Sequence, residues 1–194
     1  MLGLVNRSIQ CFLRDAYGAG TWADIATELD LGPDGFEAML HYDDGMTEAL
    51  LDRAARHLDR PREAILEDLG THLVSHPGFE PLRRLLRFGG VGFVDFLHSL
   101  EELPGRGRLA VPDLDLPRLS LAEEGPGQYA LHVDGAAGMD HVLIGVLRAM
   151  ADDYGALVLL DHRETDGRSG IVSIRLADAR FSEGREFALS PETD

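Results

Sequence analysis

The sequence predicts an α+β fold, in which a helical N-terminal subdomain packs on a C-terminal antiparallel β-sheet with one long helix. Apolar residues recur at helical spacing through the first hundred residues. Apolar and polar residues alternate, between turns rich in Gly and Pro, in much of the second half. One clear helical pattern, near 139–155, interrupts that second half. We therefore expect a single domain over 1–194, with a helical subdomain at 1–103 and a sheet-containing subdomain at 104–194.

Gly and Pro residues divide the helical half into segments. The predicted helical segments, in order, are 2–17, 21–31, 46–59, 62–76, 79–90 and 91–103. The last segment holds the stretch FLHSLEELPGRG, where Phe96, Leu100 and Leu103 follow helical spacing. Because proline lacks a backbone N–H, Pro104 and Gly105 are expected to stop this helix.

After residue 103 the pattern changes to an extended connection and then to strands. The strings LPRLSLAEE and GQYALHVDG predict two strands around a turn at 125–127. The string MDHVLIGVLRAMADDYG predicts the long helix, with Asp152 and Asp153 at its solvated end. A β-hairpin is expected in ALVLLDHRETDGRSGIVSIRLAD, and ARFSEGREFAL could add a last strand or a short helix.

The charge and the cysteine content limit the possible partners and compartment. The chain has 34 acidic and 18 basic residues, with no lysine, and a formal net charge of −16. A chain with this much negative charge repels phosphate backbones and anionic lipids. Neither nucleic acid nor a membrane surface is therefore expected as a partner. One cysteine, Cys11, allows no internal disulfide, which favours a cytoplasmic location. The N-terminus does not resemble a signal peptide, and no apolar stretch is long enough to span a membrane.

No catalytic arrangement is predicted. The serines lie outside any nucleophile-elbow context, and FGGVGF lacks the lysine of a phosphate-binding loop. The chain is therefore not expected to be an enzyme.

Five histidines are candidate ligands for a metal or a cofactor. His72 and His76 are four residues apart and share a helical face, a spacing that can bind a metal or approach a haem edge. His98 lies among carboxylates, His132 on a predicted strand and His141 near the start of the long helix. Each of the five is expected to be structural rather than ligating.

Several strings, in order along the chain, resemble the H-NOX family of haem-nitric oxide/oxygen-binding sensor domains. They are MLGLVNRSIQCFLRDAYG, HYDDGMTEALLDRAARHLDRPREAILEDLG, FVDFLHSLEEL, LPRL and MDHVLIGVLRAMADDYGALV. The resemblance implies the fold described above and a haem cofactor that senses a gas such as NO, or the redox state. It also implies a signalling partner, in bacteria a histidine kinase or a cyclic-di-GMP enzyme, which would be contacted in trans because no effector domain is recognised in the sequence.

The family holds haem with a histidine ligand and a Tyr-x-Ser-x-Arg motif that binds the propionates. When the resembling strings are matched, Pro104 occupies the place of the ligand histidine. The motif positions are occupied by Val133, Gly135 and Ala137, and Pro117 matches the proline on the haem face. Phe93, Phe96 and Leu100 are the expected pocket lining.

Two functions therefore stay open from the sequence. The first is a haem-pocket gas or redox sensor of the H-NOX type, with an altered attachment site. The second is a haem-independent protein-interaction or apolar-ligand-binding module on the same fold. Packing distinguishes them, because bulky residues such as Phe88, Phe93 and Phe96 would exclude haem if they filled the pocket.

Overall fold

The structure is a computed structural model, and it describes residues 1–32, 34–135, 137–164 and 169–185. Its helices are α1 (Gly3–Tyr17), α2 (Ala19–Glu28), α3 (Asp44–Leu58), α4 (Arg62–Ser75), α5 (Glu80–Arg87), α6 (Phe93–Ser99), α7 (Leu103–Ala110) and α8 (Met139–Tyr154). Its strands are β1 (Arg118–Gly125), β2 (Gln128–Asp134), β3 (Leu157–Glu164) and β4 (Ser169–Asp178). The α+β class predicted from the sequence is confirmed.

The four strands form one antiparallel sheet in the order β1-β2-β4-β3. The two central strands carry most of its buried residues, with Leu131 paired to Val172 and Tyr129 paired to Ile174. The long helix α8 packs on this face and contributes Leu147, among others, to the same core. The β-hairpins and the long helix predicted from the sequence are thus present.

Helices α4 and α8 cross at very close range. A Cβ atom added to Gly70 would lie 2.0 Å from the carbonyl oxygen of Val142, and one added to Gly145 would lie 1.9 Å from that of Glu67. Glycine is therefore required at both positions, because the two backbones approach to within the space that a methyl group would take. This crossing joins the helical half to the helix that lies on the sheet.

The buried apolar residues form two clusters. One joins helices α1 to α4 and contains Phe36, Leu13 and Ile25, each completely buried. The other joins the sheet and α8 to α5, α6 and the end of α4. The predicted division at 103 and 104 stays a prediction.

The expectation that Pro104 stops the helix is wrong. Helix α6 continues through a 3₁₀ turn at Leu100–Glu102 into α7, and Pro104 lies in the first turn of α7. Proline is tolerated there because the first N–H groups of a helix have no intrahelical acceptor. Of the predicted extended connection, only the part after Ala110 is non-helical before β1 begins.

Two further expectations differ from the structure. Asp153 is not solvated, since only 2% of it is exposed. Residues 179–185 adopt no strand or helix, and the rest of the segment ARFSEGREFAL lies outside the described residues. In the described part of the chain, every helix is too short or too polar to cross a lipid bilayer.

Candidate functional site

The expected pocket-lining residues are packed inside the core. Phe93, Phe96 and Leu100 are 3%, 0% and 1% exposed, respectively. They lie in one cluster with residues of β2 and α8. Phe88, by contrast, is 72% exposed, so it does not fill a pocket.

Aromatic contacts hold this region together. The rings of Phe93 and Phe96 lie 5.7 Å apart, and each approaches the ring of Tyr154, at 6.4 and 6.0 Å. The Tyr154 hydroxyl donates a hydrogen bond to the Gly90 carbonyl at 3.1 Å, and the Arg87 guanidinium lies 4.0 Å from the ring centre. Burial raises the pKa of Tyr154 above its ordinary value, although the positive charge of Arg87 opposes this. The aromatic ring edges and faces are therefore occupied by protein groups.

The position assigned to the haem ligand offers no metal-binding atom. Pro104 is buried in the first turn of α7, and its side chain is a saturated hydrocarbon ring. Nearby, Arg106 donates a hydrogen bond to the Ser99 carbonyl at 2.7 Å, which ties the first turns of α7 back to α6.

The positions assigned to the propionate motif offer no cation and no hydroxyl. Val133 is buried opposite Leu119 of β1, while Gly135 and Ala137 are exposed after the strand ends. Propionate carboxylates are bound by arginine or by hydroxyl donors, and these three side chains supply neither.

A small cavity lies beside the buried Pro117. It has a volume of about 140 Å³ and is lined by Asp115, Leu116, Pro117, Asp134 and Gly135. Pockets for small-molecule ligands usually hold about 300–1,000 Å³, so this one is too small for haem. Its two carboxylates would also repel the propionates. The described residues at the positions that sequence matching assigns to the family's haem site therefore do not fit a haem group.

His98 and His132 are not brought to those positions as ligands. His98 is exposed on α6, with its ring edge-on to Tyr129 at 6.2 Å. His132 lies in β2, half-buried and paired with Ser120 and Ile171 of the neighbouring strands. The expectation that both are structural rather than ligating stays a prediction.

The other three candidate histidines lie in two clusters with carboxylates. In the first, the Nε2 atoms of His72 and His76 lie 3.5 and 3.6 Å from Oδ2 of Asp15, which belongs to α1. The two imidazole rings stack at 4.6 Å. Burial and the charge of His76 lower the pKa of His72 below its ordinary value, against an opposing effect of Asp15. Burial thus favours the neutral form of the His72 imidazole.

The second cluster joins α8 to β3. The Asp140 carboxylate lies 2.7 Å from Nε2 of His162, and the ring of His141 lies 4.4 Å from that of His162. Nδ1 of His141 faces Glu67 of α4 at 3.7 Å.

Sequence reasoning missed the partners in both clusters. His72 and His76 carry a local signal, since they are four residues apart in one predicted helical segment, although α4 ends at Ser75. Asp15 is 57 residues before His72, and no periodicity connects them. His162 is likewise 22 residues from Asp140, and no periodicity in the sequence connects the two.

The chain is similar to a known family over most of its length. The model of the haem-NO-binding family matches residues 2–162. Among the curated proteins, soluble guanylate cyclase 89Db of Drosophila melanogaster is 23% identical over 161 residues, covering 81% of this chain and 24% of that protein. Soluble guanylate cyclase gcy-31 of Caenorhabditis elegans is 22% identical over 154 residues, covering 79% and 22%. The chain thus spans about a quarter of the length of these relatives.

Solved structures of H-NOX proteins share the fold. A mutant H-NOX protein from S. oneidensis has a TM-score of 0.79 at 14% identity, covering 93% of this chain and 98% of that one. A mutant H-NOX from T. Tengcongensis has a TM-score of 0.77 at 16% identity, covering 92% and 99%. An H-NOX mutant from K. algicida has a TM-score of 0.74 at 20% identity, covering 92% and 97%. At these identities the likeness shows the fold alone.

Proposed function

The chain belongs to the haem-NO-binding, or H-NOX, family, and from this premise we propose that it is a regulatory domain that works without haem. The family is one of haem-based gas sensors, and its domains are sensors rather than catalysts.

The packing of Phe93, Phe96 and Leu100 is the observation that carries the proposal. These residues lie at the expected lining of the haem pocket, and at most 3% of each is exposed. Haem is held by an axial ligand and by burial in an apolar slot. Here the expected slot lining is in contact with the sheet and α8, so protein side chains supply the apolar contacts that haem would make.

The loss of both attachment points supports the same proposal. Pro104 offers no lone pair to iron, and Val133, Gly135 and Ala137 offer no charge to the propionates. Restoring haem would require a new ligand, a new propionate site and new volume. We expect that no single one of these three changes restores haem binding.

We further propose that the domain acts through protein contact on an effector. The curated relatives are guanylate cyclases of which this chain matches about a quarter, and family domains act on partner effector domains. A histidine kinase or a cyclic-di-GMP enzyme, contacted in trans, is the partner class that the family resemblance implies. Autophosphorylation of such a kinase, or synthesis of cyclic-di-GMP, should change when the purified chain is added.

A haemin titration of the purified chain tests the haem-free proposal. We expect a broad Soret band like that of free haemin, which does not saturate at one equivalent. The band should be unchanged when His72, His76, His98, His132 or His141 is replaced by alanine, one at a time. A sharp, saturable band that one of these substitutions abolishes would overturn the proposal and identify a replacement ligand for a haem-based sensor.

A further inference from the structure

We propose that Asp15, His72 and His76 form a binding site for a divalent transition-metal ion of the zinc class. The site joins the end of α1 to the last turn of α4. The site is separate from the expected haem pocket, so the test of metal binding is independent of the test of the proposed function.

The distances suit ligands of one ion better than hydrogen bonds. Oδ2 of Asp15 lies 3.5 Å from Nε2 of His72 and 3.6 Å from Nε2 of His76, and the three atoms all lie within 4.8 Å of one another. An N–H···O hydrogen bond usually spans about 2.7–3.2 Å. Tetrahedral zinc with bonds of about 2.0–2.1 Å places neighbouring ligand atoms about 3.4 Å apart.

A buried ring nitrogen points into the same space. Nε2 of His72 is inaccessible to solvent and has no hydrogen-bond partner among the residues that the structure describes. A buried polar atom without a partner is costly unless some group satisfies it. A metal ion between the three side chains would take up the lone pair of this nitrogen.

Aromatic neighbours hold the imidazole of His72 in place. The ring of His72 contacts Phe12 at 5.4 Å and Phe79 at 5.6 Å, and it stacks on the ring of His76. Rotation of His72 is therefore restricted before any ion arrives. Only His72 is preorganised in this sense, because ring planes 26° apart cannot both point an in-plane lone pair at one ion, so His76 has to turn.

The site is open on one side. The side chain of His72 is 12% exposed, whereas those of His76 and Asp15 are each 39% exposed. An ion can enter from this side, and water can supply a fourth ligand, as in open zinc sites. Two imidazoles and one carboxylate are a ligand set that zinc and its neighbours in the first transition series accept.

Binding has one local cost at His76. Its Nδ1 accepts a hydrogen bond from the Gly78 backbone N–H at 3.1 Å. Ligation through Nε2 requires the proton on Nδ1 instead, so this hydrogen bond is given up when the ion binds. A 3₁₀ turn at Pro77–Phe79 follows α4 directly, and it should therefore shift on metal binding.

The second histidine cluster is the competing candidate, since its ligand atoms also lie within 4.8 Å of one another and Nδ1 of His141 is likewise buried without a hydrogen-bond partner among the described residues. The Asp140 carboxylate already lies at hydrogen-bond distance, 2.7 Å, from His162. A substitution at His141 thus tests whether any metal bound by the chain prefers that cluster. His57, which lies 3.9 Å from Asp24 at its Nε2 atom, is a control for a surface His–Asp pair between helices.

The test is a Zn²⁺ titration of the full chain, purified without a polyhistidine tag, in competition with a chromophoric chelator. We expect one equivalent to bind, and D15N, H72Q and H76Q each to weaken binding at least tenfold. H57Q and H141Q should bind as the unsubstituted chain does. Co²⁺ in place of Zn²⁺ should give the visible absorption of a tetrahedral site, and this should be lost in the same three variants.

Two results would overturn the proposal. One is the absence of stoichiometric Zn²⁺ binding by the unsubstituted chain, and the other is binding that H141Q removes while H76Q leaves it intact. Far-UV circular dichroism of each variant separates loss of the site from loss of the fold. D15N and H76Q alter half-exposed side chains, so they keep the test decisive even if H72Q unfolds.

Discussion

Arg83 of α5 forms a hydrogen-bonded ion pair with the buried carboxylate of Asp153 near the end of α8. Its Nε lies 3.1 and 3.2 Å from the two carboxylate oxygens, and its Nη2 donates to Oδ1 at 2.7 Å. Arg87 adds a contact at 3.6 Å to Oδ2 and donates to the Asp153 carbonyl at 3.2 Å. Because Asp153 is almost fully buried, its charge depends on these two guanidinium groups.

Replacing Arg83 with methionine should destabilise the fold by roughly 3 kcal/mol. Breaking a buried pair leaves an uncompensated charge, which costs about 3–5 kcal/mol, and Arg87 keeps part of the compensation. Chemical denaturation monitored by circular dichroism measures the change. The adjacent R84M is the matched control, since Arg84 pairs only at 3.4 Å with a half-exposed Glu80 and should cost at most about 0.5 kcal/mol. Equal losses in the two variants would contradict the assignment.

Local patterns in the sequence predict most of the fold. Contacts between side chains that are far apart in the sequence could not be predicted from such patterns. The helical spacing in MTEALLDRAARHLD and MDHVLIGVLRAMADDYG corresponds to α3 and α8, because each helix has an apolar side that it must bury. Asp153 is the clearest example, since the sequence predicts it at the solvated end of the long helix and the structure buries it. Its partner Arg83 is 70 residues away, and only the docking of α5 on α8 brings them together.

The candidate site shows the same limit. Sequence matching assigns Pro104 to the position of the family's haem ligand. The presence of a proline there also predicts a helix end, which the structure does not have. The rule that proline breaks helices applies to helix interiors, and a new helix begins one residue earlier, at Leu103. The roles of Phe88 and Phe96 could not be separated by sequence, since both are phenylalanines near the same joint.

Substituting alanine for Gly70 should lower the free energy of unfolding by at least about 2 kcal/mol. The new methyl group would meet the Val142 carbonyl oxygen, which is backbone and cannot rotate away. The control is Gly105→Ala in α7, where a Cβ would meet nothing within 4 Å. That variant should be unchanged or up to about 1 kcal/mol more stable, since alanine favours helices over glycine. A stable Gly70→Ala protein would mean that α4 and α8 do not cross as closely as described.

Truncating Phe96 to alanine should cost about 3–5 kcal/mol, as large-to-small substitutions in a packed core do. Phe96 is fully buried against Phe93 and Tyr154. Phe88→Ala removes the same atoms from a side chain that is 72% exposed and should change stability by no more than about 0.5 kcal/mol. Urea titration of both variants measures the difference. A small cost at Phe96 would indicate an open pocket where the structure has a filled core.

Restoring the ligand alone should not restore haem binding. In Pro104→His, an imidazole would occupy the position that sequence matching assigns to the family's iron ligand. The helical backbone of α7 admits histidine there, and circular dichroism checks that the variant is folded, because Pro104 is buried. Phe93, Phe96 and Leu100 would still fill the expected slot, and the cavity beside Pro117 would still be small and acidic. A haemin titration of this variant should therefore give the same broad Soret band as the unsubstituted chain. If one histidine produced a sharp band that saturates at one equivalent, the core would have to open readily, and the loss of the ligand rather than the packing would explain a haem-free domain.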